Sequence, residues 1–196
     1  NDFSAYYLDY AKDILYIDQK DSVRRRQVQT VIYTALDVLV RLWAPILCHT
    51  CEEVNDYLHL EEDSIHLGSF AKMELPFDAD MVKNKMSRLL LIRSDVLKAL
   101  ENARNEKVIG KSLEAHVKLK VSAEDHALIE EVFPNSLHQW LIVSKLSITD
   151  ENLPFYEVCG VAVERCEGTV CPRCWNITVS DAEDGLCARC AAVLNK

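Results

Sequence analysis

Over the first hundred positions the apolar residues recur with a helical period. Phe3, Tyr6, Tyr7, Tyr10, Ile14 and Leu15 keep to one face. After Asp21 or Ser22, either of which can cap a helix, the stripe resumes through Val28, Val31, Ile32, Ala35, Leu36, Leu39, Leu42 and Trp43. Pro45 lacks an N–H and ends or kinks this second helix. Thr50 and Glu53 stand at capping-box spacing, which predicts a short helix to about Leu58. Residues 60–78, containing "SIHLGSF", read as a loop. Asp78 or Asp80 then caps a long helix whose core face carries Met86, Leu89, Val96, Leu100 and Ala103. Gly110 stands where a helix-ending glycine belongs. These segments predict an antiparallel helical bundle over residues 1–110.

The period then changes from helical to two. Ala115, Val117, Leu119 and Val121 alternate with His116, Lys118 and Lys120, the pattern of a half-buried strand. "AEDHALIEEVF" reads as a short amphipathic helix, and "WLIVSKLSI" and "FYEVCGVAVERC" as two further strands. The expected fold class is mainly α: a helical bundle, a small α+β unit over 111–165, and a cysteine-rich module over 166–196.

Composition sets bounds on this picture. With 49% hydrophobic and 27% charged residues, the 196-residue chain can bury a core. No run approaches the ~18 apolar residues of a membrane span. The opening "NDFSAYYLDYAKD" lacks a starting Met and a signal-peptide pattern, and begins inside an amphipathic stretch, so a piece of a longer protein is expected. Eight cysteines without a secretion signal point to metal or free thiols in a reducing, cytoplasmic setting. A monomer that does not engage membrane is expected. The net charge of -9 argues against a polyanionic partner, but its distribution is uneven. Residues 83–120 hold ten Lys and Arg against four acids, a balance of +6, which leaves -15 on the rest. Such a stripe either meets phosphates or is a solvated helix face.

The strongest chemical signal lies near the end, in "CPRCW" and "CARC". Two Cys-x-x-Cys turns, Cys171/Cys174 and Cys187/Cys190, are joined by a short polar excursion. Each turn places two sulfurs on one side of a tight loop, and two such turns complete the tetrahedron that zinc prefers. Four thiolates leave no open coordination position, so one structural zinc is expected. Cys159 and Cys166 lack a Cys-x-x-Cys partner and read as ordinary thiols. "CHTC" at 48–51 has the spacing but no second pair and reads as core. "GKS" at 110–112 precedes a strand and lacks the upstream glycine of a phosphate loop. "KMSR" at 85–88 has the letters of a class I synthetase nucleotide loop, but here it sits inside a helix. No acid–base pair or nucleophile triad is visible, and no catalytic residue is expected in this segment.

Several segments together resemble bacterial isoleucyl-tRNA synthetases. "FSAYYLDYAKDILY" at 3–16 is similar to the entry of that family's anticodon-binding helical domain, and "LWAPILCHTCEEV" at 42–54 to its next helix pair. "VLKALENARNEKVIGKSLEAHVKL" at 96–119 resembles the junction to its C-terminal α/β unit. "EGTVCPRCW" followed by "CARC" resembles its terminal zinc module. Val170 stands where the family often has a lysine. The resemblance implies a non-catalytic C-terminal piece of an ATP-dependent isoleucine–tRNA ligase, without the catalytic and editing domains. Its implied partners are the anticodon stem-loop of isoleucine tRNA and the remainder of the synthetase chain. Arg173 and Trp175, held beside the metal, are then candidates for stacking or phosphate contact. Arg104, Lys107 and Lys111 are candidates for backbone contact, and Arg24–Arg26 form at best a partial patch. The alternatives are a zinc-stabilised protein-interaction module that makes no RNA contact, and a zinc enzyme with an open ligand position.

Overall fold

The computed structural model describes residues 3–58, 63–71, 78–179 and 184–194. By its packing the chain divides into two compact units, one of residues 1–17 with 78–196 and one of residues 18–77.

In the second unit, α2 (Val23–Trp43) starts at Ser22, whose hydroxyl accepts from the Arg25 N–H at 3.2 Å. Pro45 lies just past its end, and α3 (Cys48–Leu58) follows. The capping box expected at Thr50 is not used. The Leu47 N–H still bonds to Trp43 O at 2.8 Å and Cys51 N–H to Leu47 O at 2.9 Å, so the ladder restarts ahead of Thr50, which lies inside the helix. Val40, Ala44, Cys51 and Ile65 form the small core of this unit. Within the expected loop, residues 65–67 make a short 3-10 turn. Glu52 accepts hydrogen bonds from the Ser64 hydroxyl and the Ile65 N–H, both at 3.1 Å. Residues 60–62 and 72–77 of that loop, and residue 59 before it, lie outside the described ones.

The first unit begins with a π-helical turn at Phe3–Tyr7 that runs into α1 (Leu8–Ile17). The long helix α4 (Ala79–Asn105) is capped by Asp78, which accepts from the Met81 N–H at 3.0 Å. Its end differs from the expectation. The left-handed residue that closes it is Lys107, at φ 62, and not Gly110. The Val108 N–H reaches back to Ala103 O at 2.9 Å, which requires the reversal three residues before the glycine. Gly110 instead donates its N–H to Glu114.

β1 (Ala115–Lys120) buries every second residue, as the alternation predicts. It lies between β2 (Lys145–Ile148), which it pairs in parallel, and β3 (Gly160–Arg165), which it pairs antiparallel. A parallel pair needs a crossover. Here α5 (Ala123–Val132) and the short α6 (Leu137–Trp140) supply it. Leu89, Ile92, Val96 and Leu100 of α4 pack on Val117, Leu119 and Val161 of the sheet, with Ile129 of α5 and Trp140 of α6. Asp95 is wholly buried in this core, and its carboxylate accepts the Val158 and Cys159 N–H groups at 2.7 and 3.2 Å.

Two strands are shorter than the pattern suggests. "WLIV" ends α6 and turns through Ile142 at φ 58 before β2 begins. Leu141 and Val143 are both buried, so the apolar run reflects a buried turn and not an extended strand. Residues 155–159 bend back on themselves, with the Tyr156 N–H bonded to Cys159 O, and β3 starts only at Gly160. The cysteine module consists of a small hairpin, β4 (Thr169–Val170) with β5 (Ile177–Thr178), and α7 (Ala188–Leu194).

Candidate metal centre and the surface around it

The loop between β4 and β5 is residues 171–176. Cys171 N–H bonds to Asn176 O and Trp175 N–H to Cys171 O, both at 2.9 Å, which closes a tight knuckle. This closure puts Trp175 in the left-handed region at φ 62, a position usually given to glycine. Gly168, entering β4, has φ 125 and its Cα faces the Thr178 carbonyl so closely that a Cβ would lie 2.5 Å from that oxygen. The second Cys-x-x-Cys turn straddles the start of α7, where the Ala191 N–H bonds to Cys187 O. Residues 180–183 of the linking excursion lie outside the described ones.

The four sulfurs of Cys171, Cys174, Cys187 and Cys190 are buried and lie within 4.8 Å of one another. Cys174 Sγ and Cys187 Sγ are 3.6 Å apart. A tetrahedron of sulfurs at about 2.3 Å from a zinc ion has edges of about 3.8 Å, so the donor set fits that metal. N–H groups aim at the sulfurs from several sides: Cys187 N–H at Cys171 Sγ (3.4 Å), Cys190 N–H at Cys187 Sγ (3.5 Å) and the Asn176 amide at Cys174 Sγ (3.5 Å). Burial acts to raise the Cys171 thiol, but N–H bonds from Cys187, Cys174 and Arg173 outweigh it and bring it down to about 6. Burial raises Cys174, with the neighbouring sulfurs adding to it. A cluster this close cannot hold four thiolates without a cation to offset their repulsion. The group can therefore hold a metal ion, with all four donors supplied by protein. Cys166 lies apart, with its Sγ 3.7 Å from Ile177 O, and Cys159 sits against Asp95, where burial pushes its thiol up to about 12.

The knuckle is anchored to α1. Arg173 donates to Ile17 O at 2.8 Å and Tyr16 O at 3.4 Å, and its Nη1 is 3.7 Å from Cys190 Sγ. Arg189 pairs with Asp13 at 2.7 Å, and Ile17 packs against the cysteines. Ser144 ties in the other side: its hydroxyl donates to Leu113 O and accepts from the Ile177 N–H at 2.7 Å.

The candidate contact residues differ in how free they are. Trp175 is 68% exposed. The Arg173 guanidinium is engaged as just described. Arg104 is held by Glu101 and the Ser112 hydroxyl, each at 2.7 Å. Lys107 and Lys111 are exposed, and neither makes an ion pair among the described residues. Much of the basic stripe is paired inside the protein. Lys85 meets Glu131, Arg88 grips Asp125 through two bonds at 2.7 and 2.8 Å, and Lys118 meets Glu164 at 2.8 Å. Arg93 stacks over the Tyr6 ring at 4.8 Å. Arg24 and Arg26 are likewise paired, with Asp18 and Asp21. A cavity beside the knuckle is lined by residues that sequence reasoning did not single out, among them Gln139, Ile142 and Asn176. They come from segments far apart in the chain, and no motif marks them.

Residues 1–119 match the family model described as the anticodon-binding domain of tRNA ligase. The chain belongs to that family. It is also 48% identical over 202 residues to the isoleucine–tRNA ligase of Lactobacillus johnsonii, covering 99% of this chain and 22% of the relative. To an isoleucine–tRNA ligase of Oceanobacillus iheyensis it is 44% identical over 205 residues, covering 100% of this chain and 22% of the relative. To that of Bacillus cereus it is 40% identical over 206 residues, with the same coverage. The chain thus spans about a fifth of the length of these curated relatives. No helix among the described residues is long and apolar enough to cross a membrane.

Proposed function

We propose that this chain is the anticodon-reading C-terminal part of an isoleucine–tRNA ligase. In this reading it binds the anticodon stem-loop of isoleucine tRNA, while ATP use and charging belong to the rest of the enzyme. The observation that carries this is the family match over residues 1–119, together with relatives of one printed activity along the whole chain. The division of labour follows the chain: anticodon-binding helices over 1–110, a junction over 111–165, and a module over 166–196 held by one structural zinc on Cys171, Cys174, Cys187 and Cys190. Four sulfur donors leave that metal no position for substrate, so its role is to fix the knuckle and with it Arg173 and Trp175. Trp175 stacks on a base; Lys107 and Lys111 hold phosphates, helped by Arg104.

The test has two parts. Metal analysis with X-ray absorption should find one zinc per chain with four sulfur ligands at about 2.3 Å. The zinc-loaded chain should bind an isoleucine anticodon stem-loop, more weakly as salt rises and more weakly still when the anticodon is changed. Equal binding to any stem-loop sequence contradicts the reading. A second reading, a protein-gripping role, is favoured by the apolar run Leu42, Trp43, Ile46 and Leu47, which is 47–69% exposed. It fits docking to the remainder of the synthetase and is compatible with the RNA role.

A further inference from the structure

Of the eight cysteines, four make up the metal centre, and Cys159 and Cys166 are buried singly. That leaves the pair in "CHTC", which the anticodon-binding reading does not use. We propose that Cys48 and Cys51 are a reversible dithiol–disulfide site whose reaction partner is a low-molecular-weight disulfide. The inference goes beyond the anticodon-binding reading and does not rest on it.

The position of the pair in the fold sets its geometry. Cys48 is the first residue of α3, and Cys51 lies one turn further on. Helical residues three apart have Cβ atoms about 5–6 Å from each other, and a disulfide needs about 3.5–4.5 Å. A closure of about 1–2 Å joins them. The opening turn is the part of a helix able to tighten, because its leading N–H groups have no carbonyl of the same helix to hold them.

The two thiols differ in access. Cys51 is core, as the pattern suggests, and packs with Val40, Ala44 and Ile65. Cys48 is not core: it is exposed, with its Sγ 4.0 Å from Pro45 O. An outer thiol that meets the oxidant and an inner one that resolves the adduct is the division of labour of thiol–disulfide exchange, where access decides which sulfur reacts first. A metal reading of the pair fails, because among the described residues no further His, Cys, Asp or Glu joins it in a group of three or more.

The chemistry balances without a further reactant. Cys48 gives up its proton and its sulfur attacks one sulfur of R–S–S–R, releasing R–S⁻ and leaving a mixed disulfide. Cys51 gives up its proton, attacks the Cys48 sulfur and expels the second R–S⁻. The two protons end on two R–SH, so two protein thiols are oxidised as one small disulfide is reduced. Closure draws the Cys51 sulfur away from Val40, Ala44 and Ile65, and oxidation thereby loosens this small core.

The experiment equilibrates the zinc-loaded chain with mixtures of reduced and oxidised glutathione, followed by acid quenching, alkylation and peptide mass spectrometry. As the mixture becomes more oxidising, the peptide holding residues 48–51 should lose both alkylation sites together, as one internal disulfide, while the zinc is retained. Amide exchange in α3 should quicken on oxidation and return to its starting rate on reduction, a readout that needs no variant. Cys51→Ser should accumulate the glutathione adduct on Cys48 at least about tenfold above the wild-type chain, and Cys48→Ser should leave Cys51 at least about tenfold slower to react. The proposal is overturned if both thiols remain alkylatable in oxidised glutathione alone, or if Cys48 holds its adduct equally with and without Cys51. Linkage of either thiol to a cysteine of the metal centre, with loss of zinc, overturns it as well. RNA binding is not measured, so each result is independent of the anticodon-binding reading.

Discussion

Replacing Trp175 separates a functional residue from a structural one. The ring is 68% exposed, so about a third of it is covered. For a side chain of roughly 250 Å², that is about 80 Å², worth at most about 2 kcal/mol. Against this stands the left-handed backbone at φ 62, which costs an L-residue about 1–2 kcal/mol and a glycine almost nothing. Trp175→Gly therefore loses the burial and recovers the backbone cost, for a net change within about 1 kcal/mol. Trp175→Ala loses the burial and recovers nothing, so it should be the less stable variant by about 1 kcal/mol, the reverse of the usual order of Ala and Gly. Both variants should lose a stacking contact worth about 1–3 kcal/mol per base, or about 5–150-fold in Kd for the anticodon stem-loop. Urea denaturation with zinc in excess measures the first quantity, and fluorescence anisotropy of a labelled stem-loop at fixed salt the second. If the Gly variant is the less stable and the RNA affinity is unchanged, Trp175 is a plug on the knuckle and the stacking argument is wrong.

Other outcomes follow from the same geometry. Ile142→Gly should be more stable than Ile142→Ala by about 1 kcal/mol in denaturant melts, because only glycine relaxes φ 58. Gly168→Ala should destabilise the cysteine hairpin, since its Cβ would meet the Thr178 carbonyl at 2.5 Å in a backbone conformation that alanine avoids; slower zinc uptake or faster release to a chelator reads the effect. Asp95→Ala leaves the Val158 and Cys159 N–H groups unsatisfied in the core and should cost about 1–3 kcal/mol for each donor. Two carboxyls are held below their ordinary range: Asp125 chiefly by its bonds from Arg88, and Asp95 by backbone N–H bonds that outweigh its burial. A lowered folded-state pKa contributes stability that is present above the unfolded value of about 4 and lost as pH falls below it. Stability should therefore drop between pH 5 and more acid values, and Asp125→Asn should flatten that drop.

The parts of the fold that were readable from sequence are those whose information is local. The alternation Ala115-x-Val117-x-Leu119 dictates a strand with one buried face, and Asp78 and Ser22 are caps in the structure as in the pattern. The four cysteines converge because two tight turns leave them few other arrangements. The misread parts depend on contacts between distant segments. Nothing within "WLIV" shows that it will turn, because the turn is imposed by burying Leu141 and Val143 in a core built by α4 and β1. Glycine is the usual left-handed residue, so the pattern puts the end of α4 at Gly110, yet the chain reverses at Lys107. The basic stripe looked available to phosphate, but residues as far away as Asp125, Glu131 and Glu164 neutralise much of it. The cavity was invisible for the same reason, since α1, Leu113, the 139–143 turn and the knuckle meet only in three dimensions.

Three residues that are neither glycine nor asparagine adopt left-handed backbone among the described ones: Lys107, Ile142 and Trp175. Glycine at each would remove a cost of about 1–2 kcal/mol, so something must offset the side chain's retention. For Ile142 the core does so, through its buried neighbours on both sides. For Trp175 the covered third of the ring roughly does so, whereas Lys107 is exposed and gains little packing. The Lys107 side chain is presented to solvent at a backbone cost that its own packing does not recover. A cation and an aromatic plane are the two groups a single-stranded loop needs, one for phosphate and one for a base. If the proposed anticodon-binding reading holds, Lys107→Gly should stabilise the chain by about 1 kcal/mol yet weaken stem-loop binding, while the cysteine cluster, Arg173 and Arg189 hold the knuckle around Trp175 in place.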